Sequence, residues 1–312
     1  MLKVLSVSLS ILLFNLPAFG QAKKKIGVVW SGKSGMTKRV MKGFDERIKE
    51  VAPDLQIQYD KELKDMDALA KVVGQYQSSK LDGMLVLRST GAKYLGKNPP
   101  SIPAFIGGCN HPTPLGAVKN INSPEGNITG VSYFLEYETP FEIFQAINPK
   151  MKNILFVLED GHPSSDVDQM ESEKLCAKNK YTCTFKRIKG EGDVKGLIDS
   201  HRSKIDTIIM GNQAKVFDNV KSVIAAAKNI PVLSFSDKPV VDGALVGFVA
   251  DDHKLGRMLA DSVKSVVIDG KKISDVPIKF DPKPKFKINE KAISKLNLKV
   301  PYVILKEATI VN

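Results

Sequence analysis

The chain has 312 residues, 43% of them hydrophobic and 26% charged, which suits a globular protein large enough for two ordinary domains or one large one. Lys and Arg number 46 against 34 Asp and Glu, a formal charge of +12. The cations are scattered, with KKK at 23–25 and KPKFK at 283–287 the only dense groups, and no nucleic-acid motif accompanies them, so the excess reads as solvated surface and nucleic acid is excluded as a partner.

Residues 1–20, MLKVLSVSLSILLFNLPAFG, combine an early Lys3, a short apolar run, Pro17, and small residues Ala18 and Gly20 around Phe19. That is the pattern of a secretory signal cleaved before Gln21, with a run too short to cross a bilayer. The mature chain is expected in the periplasm. KIGVVW (25–30) then reads as a strand buried on both faces. Ser34 can cap a following helix whose apolar face is Met36, Val40, Phe44 and Ile48. LQIQY (55–59), a helical stripe from Met66 to Tyr76, GMLVL (83–87) and PAFIG (103–107) continue a β-α-β-α-β-α-β rhythm, the pattern of a parallel sheet covered by helices.

Between two such units lies SPEGNITGVS (123–132). A phosphate loop would need a Lys-Ser/Thr continuation opening a helix, which is missing after Gly126 and Gly130. Asn127-Ile128-Thr129 is a glycosylation sequon, meaningful only in a eukaryotic secretory pathway. A connector between two complete units remains.

The rhythm restarts beyond it. A helix carrying Phe141, Phe144 and Ile147, a strand at 153–159, a helix at 165–179, a strand TCTFKRI, a helix near 194–202, a strand at 205–210, a helix at 214–228 and a strand at 230–235 make a second copy. The tail differs: a strand at 243–249, a helix at 253–269, a short strand near 276–278, a Pro-Lys loop and a last helix around 289–297. The fold class is α/β, two doubly wound parallel-sheet lobes joined by a multi-strand hinge. Lobe one takes 21–130 plus about 250–275, and lobe two takes about 131–249 plus about 276–312.

Cys176 and Cys183 are spaced to close a short disulfide loop, which leaves Cys109 as a buried or cleft-wall thiol, or as a reactive one if His111 activates it. The four histidines, at 111, 162, 201 and 253, show no HExxH spacing, and no Cys/His group has zinc-ligand spacing. No catalytic residue, metal or cofactor is expected.

The segment Pro124-Glu125-Gly126-Asn127-Ile128-Thr129-Gly130-Val131-Ser132 resembles the P-G-G-N-(I/V)-T-G-V-S signature of bacterial extracytoplasmic solute-binding proteins that serve ABC-type importers, with Glu125 in place of a Gly. IPVLSFSDKPVVDGALVGFVADDHKLGRMLADSV and INEKAISKLNLKVPYVILKEATIV are similar to two later segments of that family, in the same order. The resemblance implies a type I periplasmic binding protein fold, a small-molecule ligand between the lobes, and delivery by a monomer to an ABC-type permease of the inner membrane, or signalling to a membrane histidine kinase. The signature would be the first hinge crossing.

In facing parallel sheets, ligand contacts come from the carboxyl ends of strands beside helix N-termini. Those positions are Trp30, Ser31, Ser89, Thr90, Cys109 and Asn110 in lobe one, Ser164, Ser165, Asn212, Gln213, Ser236 and Asp237 in lobe two, and Asp251 where the chain crosses back. The ligand-binding set is Trp30, Ser31, Ser89, Thr90, Asn110, Ser165, Asn212, Gln213, Ser236 and Asp251. Several of these serines and threonines double as helix caps. Hydroxyl and amide donors suit a carboxylate, Asp251, which matches the Asp of the family's D-Y-Y-x-L-G segment, suits an ammonium, and Trp30 suits an apolar side chain. The ligand expected is an amino acid, aromatic or apolar. His111-Pro112 stands where many relatives have Asp-Pro, and EDGHPSS replaces a more Asn-rich loop, so a relative's ligand does not transfer directly.

Overall fold

A computed structural model describes residues 23–311, and the expected signal segment lies outside the described residues. The first sheet is built from β1 (Lys25–Ser31), β2 (Gln56–Leu63), β3 (Gly83–Leu87), β4 (Ala104–Gly107) and β5 (Ile128–Gly130), in the order β2-β1-β3-β4-β5 and parallel throughout. Helices α1 (Gly35–Val51), α2 (Met66–Ser78) and α3 (Arg88–Lys97) connect β1 to β4. Every residue of β3 is buried, as helices on both faces of a parallel sheet require.

The second sheet has the order β12-β11-β10-β9-β8-β6-β7. It contains β6 (Asn153–Glu159), β7 (Thr182–Ile188), β8 (Thr207–Met210), β9 (Val232–Ser234), β10 (Val246–Val249), β11 (Lys285–Asn289) and β12 (Thr309–Val311). Only the β10–β11 pairing is antiparallel. Its helices are α4 (Glu138–Ile147), α5 (Pro163–Asn179), α6 (Glu191–His201), α7 (Ala214–Asp218), α8 (Val220–Ala227) and α9 (Lys238–Val241), with α11 (Glu290–Lys295) and α12 (Tyr302–Glu307) near the end. Helix α10 (Asp252–Val263) leaves the second sheet and returns to the first, where Leu255, Leu259 and Val263 join Val40, Phe44 and Ile48 of α1 in one core.

That return demands an unusually close helix pair. A Cβ on Gly256 would lie 1.9 Å from the Val40 carbonyl oxygen, and one on Gly43 would lie 2.0 Å from that of His253. Only glycine lets the two backbones approach so far. The chain crosses between lobes at Val131–Tyr133, again at Ala250, and a third time around Lys279. Ser132 N–H donates to the Lys279 carbonyl at 2.9 Å and Lys279 N–H to that of Gly130 at 3.0 Å, so the first and third crossings are tied together. Gly130, at φ +138°, leaves no room for a side chain, since a Cβ would sit 2.1 Å from the Ile106 oxygen.

Several sequence expectations need correction. Residues 276–278 are not a strand: Ile278 N–H bonds the Ile121 carbonyl and the only ladder contact is the single Val131–Lys279 bridge. The Pro-Lys loop ends in strand β11, whose Phe286 and Ile288 face inward while Lys285 points to solvent, an alternation hidden by Pro282 and Pro284. The helix expected over 214–228 breaks at Asn219, whose side-chain amide binds the Lys215 carbonyl at 2.8 Å. The last helix stops at Lys295, and α12 and β12 follow it.

Cys176 and Cys183 are disulfide-bonded, clamping the end of α5 to β7 with Cα atoms 6.2 Å apart. Cys109 is a buried free thiol whose burial pushes its pKa up to about 12, and its S–H faces the Val131 carbonyl at 3.6 Å. So high a pKa removes it as a nucleophile at neutral pH. Among the described residues no group of three metal-ligating side chains occurs, and no helix is long and apolar enough to cross a membrane.

Candidate functional site

In both sheets the strand order reverses beside the first strand of the unit: β1 lies between β2 and β3, and β6 between β7 and β8. At such reversals the connections leave in opposite directions and open a crevice at the carboxyl ends. The cleft lies between these two reversals. It contains an outer cavity of about 330 Å³ and an inner slot of about 20 Å³, sharing Met36, Arg39, Tyr133, Asn212 and Ser236 as walls. The slot holds roughly one water, whereas the outer cavity is of small-molecule size.

The inner slot has an aromatic side. Tyr137 and Phe235 stack with ring centroids 4.4 Å apart and planes 14° apart, and Phe134 stacks on Tyr137 at 5.4 Å. Its polar centre is Asp168, in α5 and almost wholly buried. Asn110 Nδ2 donates to it at 2.7 Å from the opposite lobe, Tyr137 Oη–H at 2.7 Å, Gln213 Nε2 at 2.5 Å, and the Asn212 N–H at 3.4 Å. Burial raises the Asp168 pKa, and the donations from Tyr137, Asn110 and Gln213 pull it back. This carboxylate is therefore saturated and its work is to join the lobes. A second carboxylate, Asp252, opens α10 and receives Arg39 through Nε at 2.9 Å and Nη2 at 2.8 Å. Burial pushes Asp252 up to about 6 despite that guanidinium.

A second tie crosses the cleft through hydroxyls. Ser164 Oγ–H donates to Ser89 Oγ at 2.8 Å, Ser89 Oγ accepts the Asn110 N–H at 3.0 Å, and Tyr133 Oη lies 3.0 Å from Ser164 Oγ. The lobes thus touch directly in this arrangement.

Of the ten residues expected to bind ligand, five line the cavities: Ser89, Asn110, Asn212, Gln213 and Ser236. Asn212 Oδ1 is buried with no partner, leaving an acceptor at the junction of the two cavities. The other five lie elsewhere. Trp30 is packed in the lobe-one core with its Nε1–H unpartnered. Ser31 contacts Met66 sulfur at 3.4 Å and gives its carbonyl to Arg88. Thr90 has a buried, unpartnered hydroxyl outside both walls. Ser165 donates to the Glu159 carbonyl at 2.7 Å. Asp251 caps α10 through the Lys254 N–H at 3.2 Å and pairs with Lys285 at 2.5 Å.

Sequence reasoning missed Arg39, Arg88, Tyr133, Phe134, Tyr137, His162, Asp168, Phe235 and Asp252, all of which line the cleft. Arg88 directly follows β3, so the strand-end rule that selected Ser89 would also have found it. Asp168 carries no such signal, because a carboxylate in the second turn of α5 reads as an ordinary solvated helix residue.

Residues 25–312 match the family model described as ABC transporter substrate binding protein. The chain is 23% identical over 282 residues to a tyrosine-binding protein of Clostridioides difficile, covering 88% of this chain and 81% of that one. It superposes with a TM-score of 0.81 on a Streptococcus pneumoniae ABC domain solved in complex with L-Trp, at 22% identity, covering 93% of this chain and 100% of the other. A ligand-free, open substrate-binding protein with adhesive properties from Clostridium difficile gives a TM-score of 0.75 at 22% identity, covering 93% and 99%. These likenesses establish the two-lobed type I periplasmic binding fold.

Proposed function

We propose, since this chain belongs to the ABC transporter substrate binding protein family, that its cleft captures a free amino acid with an aromatic side chain and hands it to an ABC-type permease in the inner membrane. Solute binding for an ABC transporter, outside the cytoplasm, is the function of the family, which is one of binding proteins and not of enzymes. The observation that carries the amino-acid reading is the pairing of the Phe134–Tyr137–Phe235 aromatic wall with the unpartnered Asn212 Oδ1 acceptor and the Arg39-paired Asp252 carboxylate around one cleft. Aromatic rings stack at such distances, and an ammonium requires acceptors of this kind. The tyrosine-binding relative and the L-Trp complex support the same ligand class.

The mechanism is a population shift. Contacts made to both lobes at once exist only in the closed form, so a bridging solute favours it. The inner slot must widen as the lobes part, admit the ring, and close on it. A single chain suffices, because both walls come from one polypeptide. Calorimetric titration of the purified protein against the twenty amino acids tests the reading. Binding of tyrosine, tryptophan or phenylalanine in preference to aliphatic amino acids is expected, and absence of heat or thermal shift with every amino acid would refute it.

A further inference from the structure

The outer cavity mixes apolar wall, including Met36, Ala214 and Phe217, with a charged lining that is mostly cationic. Lys33, Arg39, Arg88, Lys238 and His162 face it, against one acidic side chain, Asp218. Two of the cations are already matched: Arg39 by Asp252 at 2.8 Å and Lys238 by Asp218 at 3.9 Å. Glu159, on the facing lobe, is engaged by Lys215, whose N–H it accepts at 3.1 Å. Lys33 and Arg88 have no carboxylate within 4.0 Å among the described residues. Arg88 is half-buried, its guanidinium held over the β1–α1 loop by the neutral Ser31 carbonyl, and the Glu159 carboxylate acts on it only from beyond ion-pair distance.

His162 adds a third donor. Its Nδ1 accepts the Ser164 N–H at 3.1 Å, which places the ring hydrogen on Nε2. Burial and the Arg88 charge hold its pKa down to about 4, so the ring is neutral at pH 7 and offers that N–H to the cavity wall it lines. Ser34, Gly35 and Met36, where the 17-residue helix α1 begins, complete the wall and add the positive end of its dipole. A half-buried guanidinium without a counter-ion is costly, and an anion seated beside it recovers that cost.

The geometry points to an anion subsite in the outer cavity, formed by Arg88, Lys33 and His162, that selects an amino acid carrying an additional acidic group over a neutral zwitterion. This rests on the amino-acid reading above and narrows its ligand class. The aromatic ring, the ammonium and the α-carboxylate occupy the inner end of the cleft, and the additional acidic group reaches outward to Arg88.

The test compares 4-carboxy-L-phenylalanine with L-phenylalanine by calorimetry on the wild type, Arg88→Gln and Lys33→Met. Lys33 is exposed, so its variant folds even if Arg88→Gln does not. In the wild type the carboxylated ligand is expected to bind at least about tenfold more tightly, with the ratio shrinking as salt rises. The ratio should fall below about twofold in Arg88→Gln and by about threefold in Lys33→Met. Equal binding of both ligands by the wild type, or a ratio that neither variant alters, would overturn the subsite while leaving the amino-acid reading intact. If neither ligand binds, inorganic phosphate titrated against thermal stability decides the subsite separately, and the amino-acid reading is decided by the titration against all twenty amino acids. A phosphate-dependent rise in Tm that is reduced in either variant supports it, and no rise, or one equal in all three proteins, overturns it.

Discussion

Replacing Asn110 by Ala removes one specific link between the lobes. Its amide donates to Asp168 at 2.7 Å, with both side chains only 1% exposed, and the acceptor is an ionisable carboxylate. A hydrogen bond to a charged group is worth about 1.5–3 kcal/mol, against about 0.5–1.5 kcal/mol for a neutral one such as Ser89–Ser164. The Asn110 link therefore dominates the direct closure contacts. Losing it should shift the closed-to-open ratio by roughly 10- to 150-fold. Asp168 keeps Tyr137, Gln213 and the Asn212 amide, so lobe two stays intact and the effect falls on closure. Small-angle scattering of the free protein should give a larger radius of gyration in Asn110→Ala. The dissociation constant for the bound solute should rise by up to the same factor, because apparent affinity scales with the population of the competent state. A scattering profile identical to wild type, together with a dissociation constant within twofold, would refute the argument that this bond holds the lobes together.

Two further outcomes test the packing and the electrostatics. Asp252 titrates near 6 when folded and at 3.8 as a free side chain, so between those values the native state holds a proton that the unfolded chain has released, and stability falls as pH rises through about 4 to 6. The full difference corresponds to about 3 kcal/mol, of which about 2 kcal/mol falls between pH 4.5 and 7.5; urea unfolding at those two pH values should show that fall diminished in Asp252→Asn, and an unchanged pH slope in the variant would exclude Asp252 as its source. Gly256→Ala, which forces a Cβ to 1.9 Å from the Val40 oxygen, should cost about 3 kcal/mol or more, whereas Gly196→Ala in α6, with nothing within 4 Å, should stabilise by about 0.5–1 kcal/mol. Denaturant midpoints of the pair measure both, and equal shifts would contradict the close α1–α10 approach.

The sequence alone determined the layered architecture, because buried parallel strands must be continuous apolar runs and their covering helices must repeat apolar residues every three or four positions. GMLVL and NILFVLE coincide with β3 and β6 residue for residue, and the stretch ending in Gly130-Val131-Ser132 is the first lobe crossing. Strand ends were legible for the same reason, and Ser89, Asn110, Asn212, Gln213 and Ser236 do line the cleft. What stayed hidden was which neighbour of each pair faces inward. Asp251 and Asp252 are adjacent, yet the first caps α10 and pairs with Lys285 while the second turns to Arg39. Trp30, at the end of β1, is taken up by the lobe-one core and not by the cleft. Asp168, Tyr137 and Phe235 meet only because three separate elements converge, and local periodicity contains no term for contacts between residues that distant. The tertiary structure alone therefore decided the charge and shape of the cavity: these depend on long-range juxtaposition, whereas the elements themselves depend on burial patterns written within a few residues.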